Sequence, residues 1–278
     1  MNVASLQEYG CTYVPYPAEL RKVVEQALES WKAFCALPEE QKLRFGYDPD
    51  VKTSGNGYEL KNIAKGDIDS KEDMHLRVIA REELLRRARL VDDVVAPRFV
   101  EDALAINPYI ASVVSEFGRT VEQEYGVVGF EKDILATQPS WLIRFLHYFG
   151  DRRVDDEIAT AHVDKGGFTL HLIETDGGVE RLAYHGRSWV PLPLPAGETV
   201  ILPGMGLQNR SRGQLRALCH RVVATSDTAK HGRYSAVCFF NFDNMRFYNK
   251  TAYGSLQKWP PGAFYDMPFE EFNKLFVD

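Results

Sequence analysis

The sequence predicts a mainly β protein with flanking helices, and three observations carry that expectation. After about Glu131 the chain breaks into short apolar or alternating runs, among them "WLIRFLHYF", "FTLHLIE", "ETVILPG", "LRALCHRVV" and "RYSAVCFFNF", parted by Gly, Pro and Asp. No long helical stretch separates these runs, which points to antiparallel sheets in a sandwich or small barrel. Before Glu131 the apolar periodicity is helical, so the helices are expected to pack outside the sheets.

Taken in order, "PAELRKVVEQALESWKAFC" places Leu20, Val23, Val24, Ala27, Leu28, Trp31, Phe34 and Cys35 on one stripe of a helix. "LPEEQKLRF" starts a short helix at Pro38, with Glu39 and Glu40 in its first turn. From Gly46 to Ser70 the text is dense in Gly, Asp and Asn and reads as irregular connection. Long loops are often functional, which makes Asn56 and Tyr58 candidate substrate contacts; a solvated connection explains them equally well. "NPYIASVVSEFGRTVEQEYG" carries Ile110, Val113, Val114, Phe117, Val121 and Tyr125 on one side of a further helix. Among the later runs, "TDGG" (Thr175 to Gly178) and "HGR" (His185 to Arg187) read as hairpin connections, and "PLPAGE" as a tighter corner. No linker divides the chain. The expectation is one domain over 1–278, mainly helical to 130, with a β core over 131–242 and a C-terminal extension over 243–278.

The 278 residues are 45% hydrophobic and 26% charged, as in a soluble globular protein, and the net charge of −6 gives no footprint for nucleic acid. Cys11, Cys35, Cys219 and Cys238 are scattered, without the close pairs of zinc sites or thiol exchange. There is no long apolar span, and "MNVASLQEYG" lacks both a basic region and a hydrophobic stretch, so the expectation is a cytoplasmic protein without a membrane partner. Oligomeric state is not legible.

In "TAHVDKGG", His162 and Asp164 lie two apart and share a face of any strand that carries them; alternation then turns Lys165 away. His220 in "RALCHRVV" is the candidate third ligand. Two imidazoles and one carboxylate suit three adjacent positions of iron(II) and leave the others open. A strand-end histidine, an Asx turn at Asp164 and a half-buried His220 would produce the same text.

The order of the segments adds what spacing lacks. "LIRFLHYF", "HVDKGGFTLHL", "GGVERL", "WVPLPLPAGETVILPG", "SRGQLRALCHRV" and "GRYSAVCFF" resemble, one after another, the iron-binding half of the isopenicillin N synthase-like family of iron(II)- and 2-oxoglutarate-dependent oxygenases. "YGCTYVPYPAELRKVVEQALESWKAFCALPEEQKLRF" resembles the family's opening strand, helix and leucine-proline segment. The resemblance implies a double-stranded β-helix (jelly-roll) core. It implies that His162, Asp164 and His220 bind Fe(II), and that Arg233 and Ser235 hold the distal carboxylate of 2-oxoglutarate, with Tyr148 nearby. With molecular oxygen, the implied reaction couples oxidative decarboxylation of 2-oxoglutarate to hydroxylation of a small organic molecule. An oxidase of the same fold that desaturates or closes a ring, with or without 2-oxoglutarate, and a noncatalytic binder of small carboxylates are the rival readings. Three departures from the family lie near the pocket mouth: no proline follows Tyr148, Arg212 stands in the turn before His220 where an asparagine is common, and "GMGLQ" lacks an aspartate.

Arg144 is a candidate for a substrate carboxylate, and a surface or ion-paired arginine is the plainer alternative. Phe239, like Phe168 and Leu170, is expected in core or pocket wall. His171 is expected to be structural and is left outside the ligand set.

Overall fold

The computed structural model describes residues 3–48, 55–62 and 69–277. Its strands are β1 (Thr12–Pro15), β2 (Gly57–Lys61), β3 (Lys71–Leu76), β4 (Leu142–Tyr148), β5 (Glu157–His162), β6 (Phe168–Glu174), β7 (Val179–Leu182), β8 (Trp189–Pro191), β9 (Glu198–Pro203), β10 (His220–Val223) and β11 (Arg233–Phe240), with a small pair, β12 (Phe247–Tyr248) and β13 (Phe276–Val277), near the C-terminus. A major sheet runs β1-β9-β6-β11-β4-β3-β2 and a minor sheet β5-β10-β7-β8. Neighbouring strands pair antiparallel, and the two sheets face each other across a cavity lined from both, the expected jelly-roll arrangement.

Alternation along β4 and β11 decides which side of the major sheet is dry. Ile143, Phe145, Ala236, Cys238 and Phe240 enter a core with Leu20, Val24, Trp31 and Phe34 of helix α2 (Ala18–Cys35, which follows the short α1, Ser5–Tyr9). The Trp31 ring lies 5.1 Å from that of Phe99 and 6.2 Å from that of Phe145. The intervening residues, Arg144, Leu146, Tyr148, Arg233, Ser235, Val237 and Phe239, face the cavity. Thus the period-2 pattern of the strands and the helical stripe of α2 bury one shared layer.

Two sequence expectations need correction. "TDGG" is no hairpin: it carries the chain from β6 in the major sheet to β7 in the minor one. Gly178 makes the corner with φ of 105°, where a Cβ would sit 2.3 Å from the Val223 carbonyl oxygen. The segment from Gly46 to Ser70 is also not wholly irregular, because β2 lies within it; its residues 49–54 and 63–68 fall outside the described residues. "HGR" does join a hairpin, β7 to β8, with the Ala183 N–H donating to the Ser188 carbonyl at 2.9 Å.

Strand β3, "KEDMHL", is buried at all six positions although four of them are titratable. It tolerates this because its charges are paired. Glu72 accepts from Lys42 Nζ at 2.5 Å, from the Tyr58 hydroxyl at 2.7 Å and from His147 Nδ1 at 2.8 Å, tying β2, β3 and β4 to the chain that follows α2. Burial alone would raise the Glu72 pKa; those hydrogen bonds outweigh it and hold the carboxyl down to about 2. The stability this group contributes is full above its unfolded pKa of about 4.3 and is lost as the pH falls toward 2. Glu72→Gln leaves Lys42 buried without a counter-charge and should lower the unfolding free energy at neutral pH by about 3–5 kcal/mol. It should also flatten the acid limb of the stability curve. Urea melts at neutral and acid pH read both effects; an unchanged neutral midpoint would contradict the role of Glu72 as a tie.

Candidate active site

His162 ends β5 and His220 opens β10, and the two residues are direct partners across that ladder. Their rings lie 4.4 Å apart. Asp164 follows in the turn beyond β5, held by the Met205 N–H, which donates to its carbonyl oxygen at 2.8 Å. The turn packs so closely that a Cβ on Gly204 would lie 2.4 Å from the Gly166 carbonyl oxygen and 3.0 Å from that of Asp164. One ligand-type atom from each of His162, Asp164 and His220 lies within 4.8 Å of the others.

The outward atoms of this trio are occupied and the inward ones are not. His162 Nδ1 donates to the Thr160 carbonyl at 2.7 Å, and His220 Nδ1 donates to the Leu218 carbonyl at 3.1 Å. These bonds fix both tautomers so that each Nε2 keeps its lone pair. Asp164 Oδ2 accepts from the Thr169 hydroxyl at 2.5 Å, while Oδ1 lies 3.6 Å from His162 Nε2. Burial pushes the Asp164 pKa up, but His220, His162 and Thr169 more than offset it, so the carboxylate stays ionised well below its usual range. Burial, followed by the neighbouring His162, lowers the pKa of His220 and favours the neutral ring. Against the opposing effect of burial, Asp164 raises the pKa of His162 through its hydrogen bond and its charge. This donor set of two imidazoles and one carboxylate, each held from behind, fits Fe(II).

Two other clusters have ligand-type atoms at similar separations, Cys35 with Glu72 and His147, and Glu59 with Asp73 and His75. Both already contain protein cations. Glu72 holds Lys42, Asp73 holds Arg144 at 2.9 Å, and Glu59 holds Lys61 at 3.1 Å. Burial also pushes the Cys35 thiol far above its usual pKa, against thiolate ligation.

The cavity between the sheets measures about 700 Å³, within the range of small-molecule sites. His162, Asp164, His220, Arg233, Ser235, Tyr148, Arg144 and Phe239 all line it. Asn56 and Tyr58 do not. Each is 2% exposed, and the Tyr58 ring lies 5.8 Å from that of Phe34 while its hydroxyl serves Glu72, so the structure buries both away from the cavity wall. Lys165 also departs from expectation: the chain leaves strand geometry after His162, alternation no longer applies, and its side chain lines the cavity.

Arg233 and Ser235 are 1% and 2% exposed. Arg233 Nη1 donates to the Ser235 hydroxyl at 3.0 Å, and the guanidinium lies 6.0 Å over the Tyr148 ring. Arg144 Nη2 donates to Asp73, yet its buried Nε has no hydrogen-bond partner among the described residues. Sequence reasoning missed Thr169 behind Asp164, the Lys71–Asp69 pair at 2.9 Å in the cavity wall, and Glu174 on Arg233. The threonine alone had a local signal, a hydroxyl five residues after the aspartate at the start of the next strand.

Residues 141–242, which hold all the cavity-lining groups except Lys61, Asp69, Lys71 and Leu256, match the 2OG-Fe(II) oxygenase superfamily. That match marks the chain as a 2-oxoglutarate- and Fe(II)-dependent dioxygenase, with molecular oxygen as the other cosubstrate, and the isopenicillin N synthase-like resemblance is consistent with it. No curated protein matches at the level of sequence. Among solved structures, a protein of Caulobacter crescentus described as of the 2OG-Fe(II) oxygenase family is 25% identical, with 86% of this chain and 80% of that one covered and a TM-score of 0.69. The dioxygenase for auxin oxidation 1 of Arabidopsis thaliana, solved with 2-oxoglutarate, is 20% identical over 86% of this chain and 85% of its own, with a TM-score of 0.67. A full-length Neurospora crassa protein, solved in complex with 2-oxoglutarate and 5-formyluracil, is 17% identical over 98% and 88%, with a TM-score of 0.69. At these identities the latter two share the fold. Among the described residues no helix is long and apolar enough to cross a membrane.

Proposed function

We propose that His162, Asp164 and His220 hold the Fe(II), that Arg233 and Ser235 beside Tyr148 hold the distal carboxylate of 2-oxoglutarate, and that the remaining cavity takes a small organic acid for hydroxylation. The observation that carries this reading is the paired Nδ1 bonding of His162 and His220 to backbone carbonyls, which leaves both Nε2 atoms for a ligand, with His162 Nε2 3.6 Å from Asp164 Oδ1. When bound, Fe(II) supplies oxygen activation coupled to oxidative loss of carbon dioxide from 2-oxoglutarate.

The protein's own groups position and select. The Arg233 fork and the Ser235 hydroxyl lie on one strand face, the i,i+2 relation that lets them meet the two oxygens of one carboxylate. Arg144 pairs with Asp73 through one arm only, and its buried Nε, unpartnered among the described residues, is a donor that an acidic substrate would satisfy. Phe239 and Leu142, paired neighbours on β11 and β4, supply apolar wall for the rest of that molecule. The pose this wall imposes on the substrate would decide hydroxylation, the outcome we propose, against desaturation or ring closure. A small ring-bearing substrate is in keeping with fold relatives named for auxin oxidation or bound to 5-formyluracil.

Asp164→Ala should abolish Fe(II) binding and succinate formation in a chain that still folds. Thr169→Val should weaken metal binding about 10–100-fold. Anaerobic titration with Fe(II) reads both, and full-affinity binding by Asp164→Ala would refute the ligand set. For the substrate, the wild-type protein should form succinate faster with small carboxylic acids than with their matched amides. Arg144→Lys, which keeps a cation for Asp73 but loses the Nε donor, should cut kcat/KM for those acids at least about tenfold. Equal turnover of acids and amides by the wild type would contradict an acidic substrate.

A further inference from the structure

The arginine assigned to the cosubstrate already carries a carboxylate of the protein. Arg233 Nε donates to the Asp176 carbonyl at 3.0 Å, Nη1 to the Ser235 hydroxyl at 3.0 Å, and Nη2 to Glu174 Oε2. Both side chains are buried, at 1% and 8% exposure. Glu174 ends β6 beside Ser235 and is absent from the cavity lining, so it backs Arg233 while the cavity side of the guanidinium stays open to a ligand. A carboxylate arriving there would place two buried anions on one guanidinium. Two carboxylates sharing one site cannot both stay ionised at ordinary cost, and one of them binds a proton.

His171 is placed to receive that proton in a hydrogen bond. It lines the cavity, burial together with the charges of Arg233 and His220 holds its pKa down to about 3, and it is therefore neutral. Its Nε2 is buried without a hydrogen-bond partner among the described residues, 3.6 Å from Glu174 Oε2. With the ring proton on Nδ1, Nε2 offers a lone pair: an ionised Glu174 gains nothing from it, whereas a protonated Glu174 can donate to it. The other charged or titratable groups facing Glu174 are Arg233 from β11, Asp176 just beyond its own strand, and Tyr13 from β1. Tyr148 of β4 contacts Arg233 from the far side.

We propose that Glu174 takes up one solvent proton when 2-oxoglutarate binds, ceding its charge on Arg233 to the distal carboxylate and donating the new O–H to His171 Nε2. Glu174 thereby sets the affinity and the pH dependence of cosubstrate binding. This rests on the assignment of Arg233 and Ser235 to that carboxylate. Only a proton moves; no electrons are transferred.

The test is calorimetric titration of 2-oxoglutarate into the full chain loaded with Mn(II), without oxygen, in buffers of different ionisation enthalpy. The wild type should take up about one proton per 2-oxoglutarate, and its affinity should fall by up to about tenfold per pH unit above neutrality. Glu174→Gln should bind at least about tenfold more tightly at alkaline pH, with that proton uptake and pH dependence gone. A merely structural Glu174 gives the opposite sign, since loosening Arg233 would weaken binding. Zero uptake by the wild type overturns the proposal even if the variant does not fold, and so does weaker binding by a folded Glu174→Gln. Arg233→Met separates the two layers. Unchanged binding there refutes the clamp itself, whereas lost binding alongside zero wild-type uptake refutes only the role of Glu174.

Discussion

The pairing of His162 with His220 across β5 and β10 is the contact on which the rest of the site depends. A slip of one residue in that ladder would turn His220 to the outer face. The register is pinned at two places in the minor sheet. On the outer face Arg221 donates to Glu157 of β5 at 2.7 Å and to Glu180 of β7 at 2.8 Å, bridging three strands. Where β7 and β10 meet, the Tyr265 hydroxyl donates to the Leu182 carbonyl at 3.1 Å and accepts the Cys219 N–H at 2.8 Å. The segment beyond 243 therefore braces the residue immediately before a ligand histidine.

Charge is sorted within the same layer by one rule. Lys42, Lys71, Arg144 and Arg233 are each withdrawn from water onto a carboxylate, respectively Glu72, Asp69, Asp73 and Glu174. An unpaired charge at any of these places would be costly. In the trio of His162, Asp164 and His220, among the described residues, no lysine or arginine pairs with the carboxylate, which leaves it to the two histidines and to the divalent cation we propose there.

The sheet core was legible where burial is one-sided. β4 and β11 show their alternation because one face meets the helices and the other the cavity, and His162 and Asp164 stand out because two neighbours on one chain carry the motif. His220, Arg233 and Ser235 lie far along the chain and became legible only through the order of segments resembling a known family. β3 was illegible for a physical reason: both its faces are buried, yet Lys71, Glu72, Asp73 and His75 replace apolar residues by paired charges, so no hydrophobic period survives. The same partner, Glu72, draws Tyr58 into the core and away from the cavity. Glu174 left no local signal, since its meaning lies in an arginine on another strand.

Anomalous diffraction at the iron edge, from crystals grown without oxygen in Fe(II) and 2-oxoglutarate, distinguishes the proposed trio of side chains from the other two clusters. The iron peak should be bounded by His162 Nε2, Asp164 Oδ1 and His220 Nε2, with the distal carboxylate of 2-oxoglutarate on Arg233 and Ser235. Iron instead at Cys35, Glu72 and His147, or at Glu59, Asp73 and His75, would contradict that ligand set.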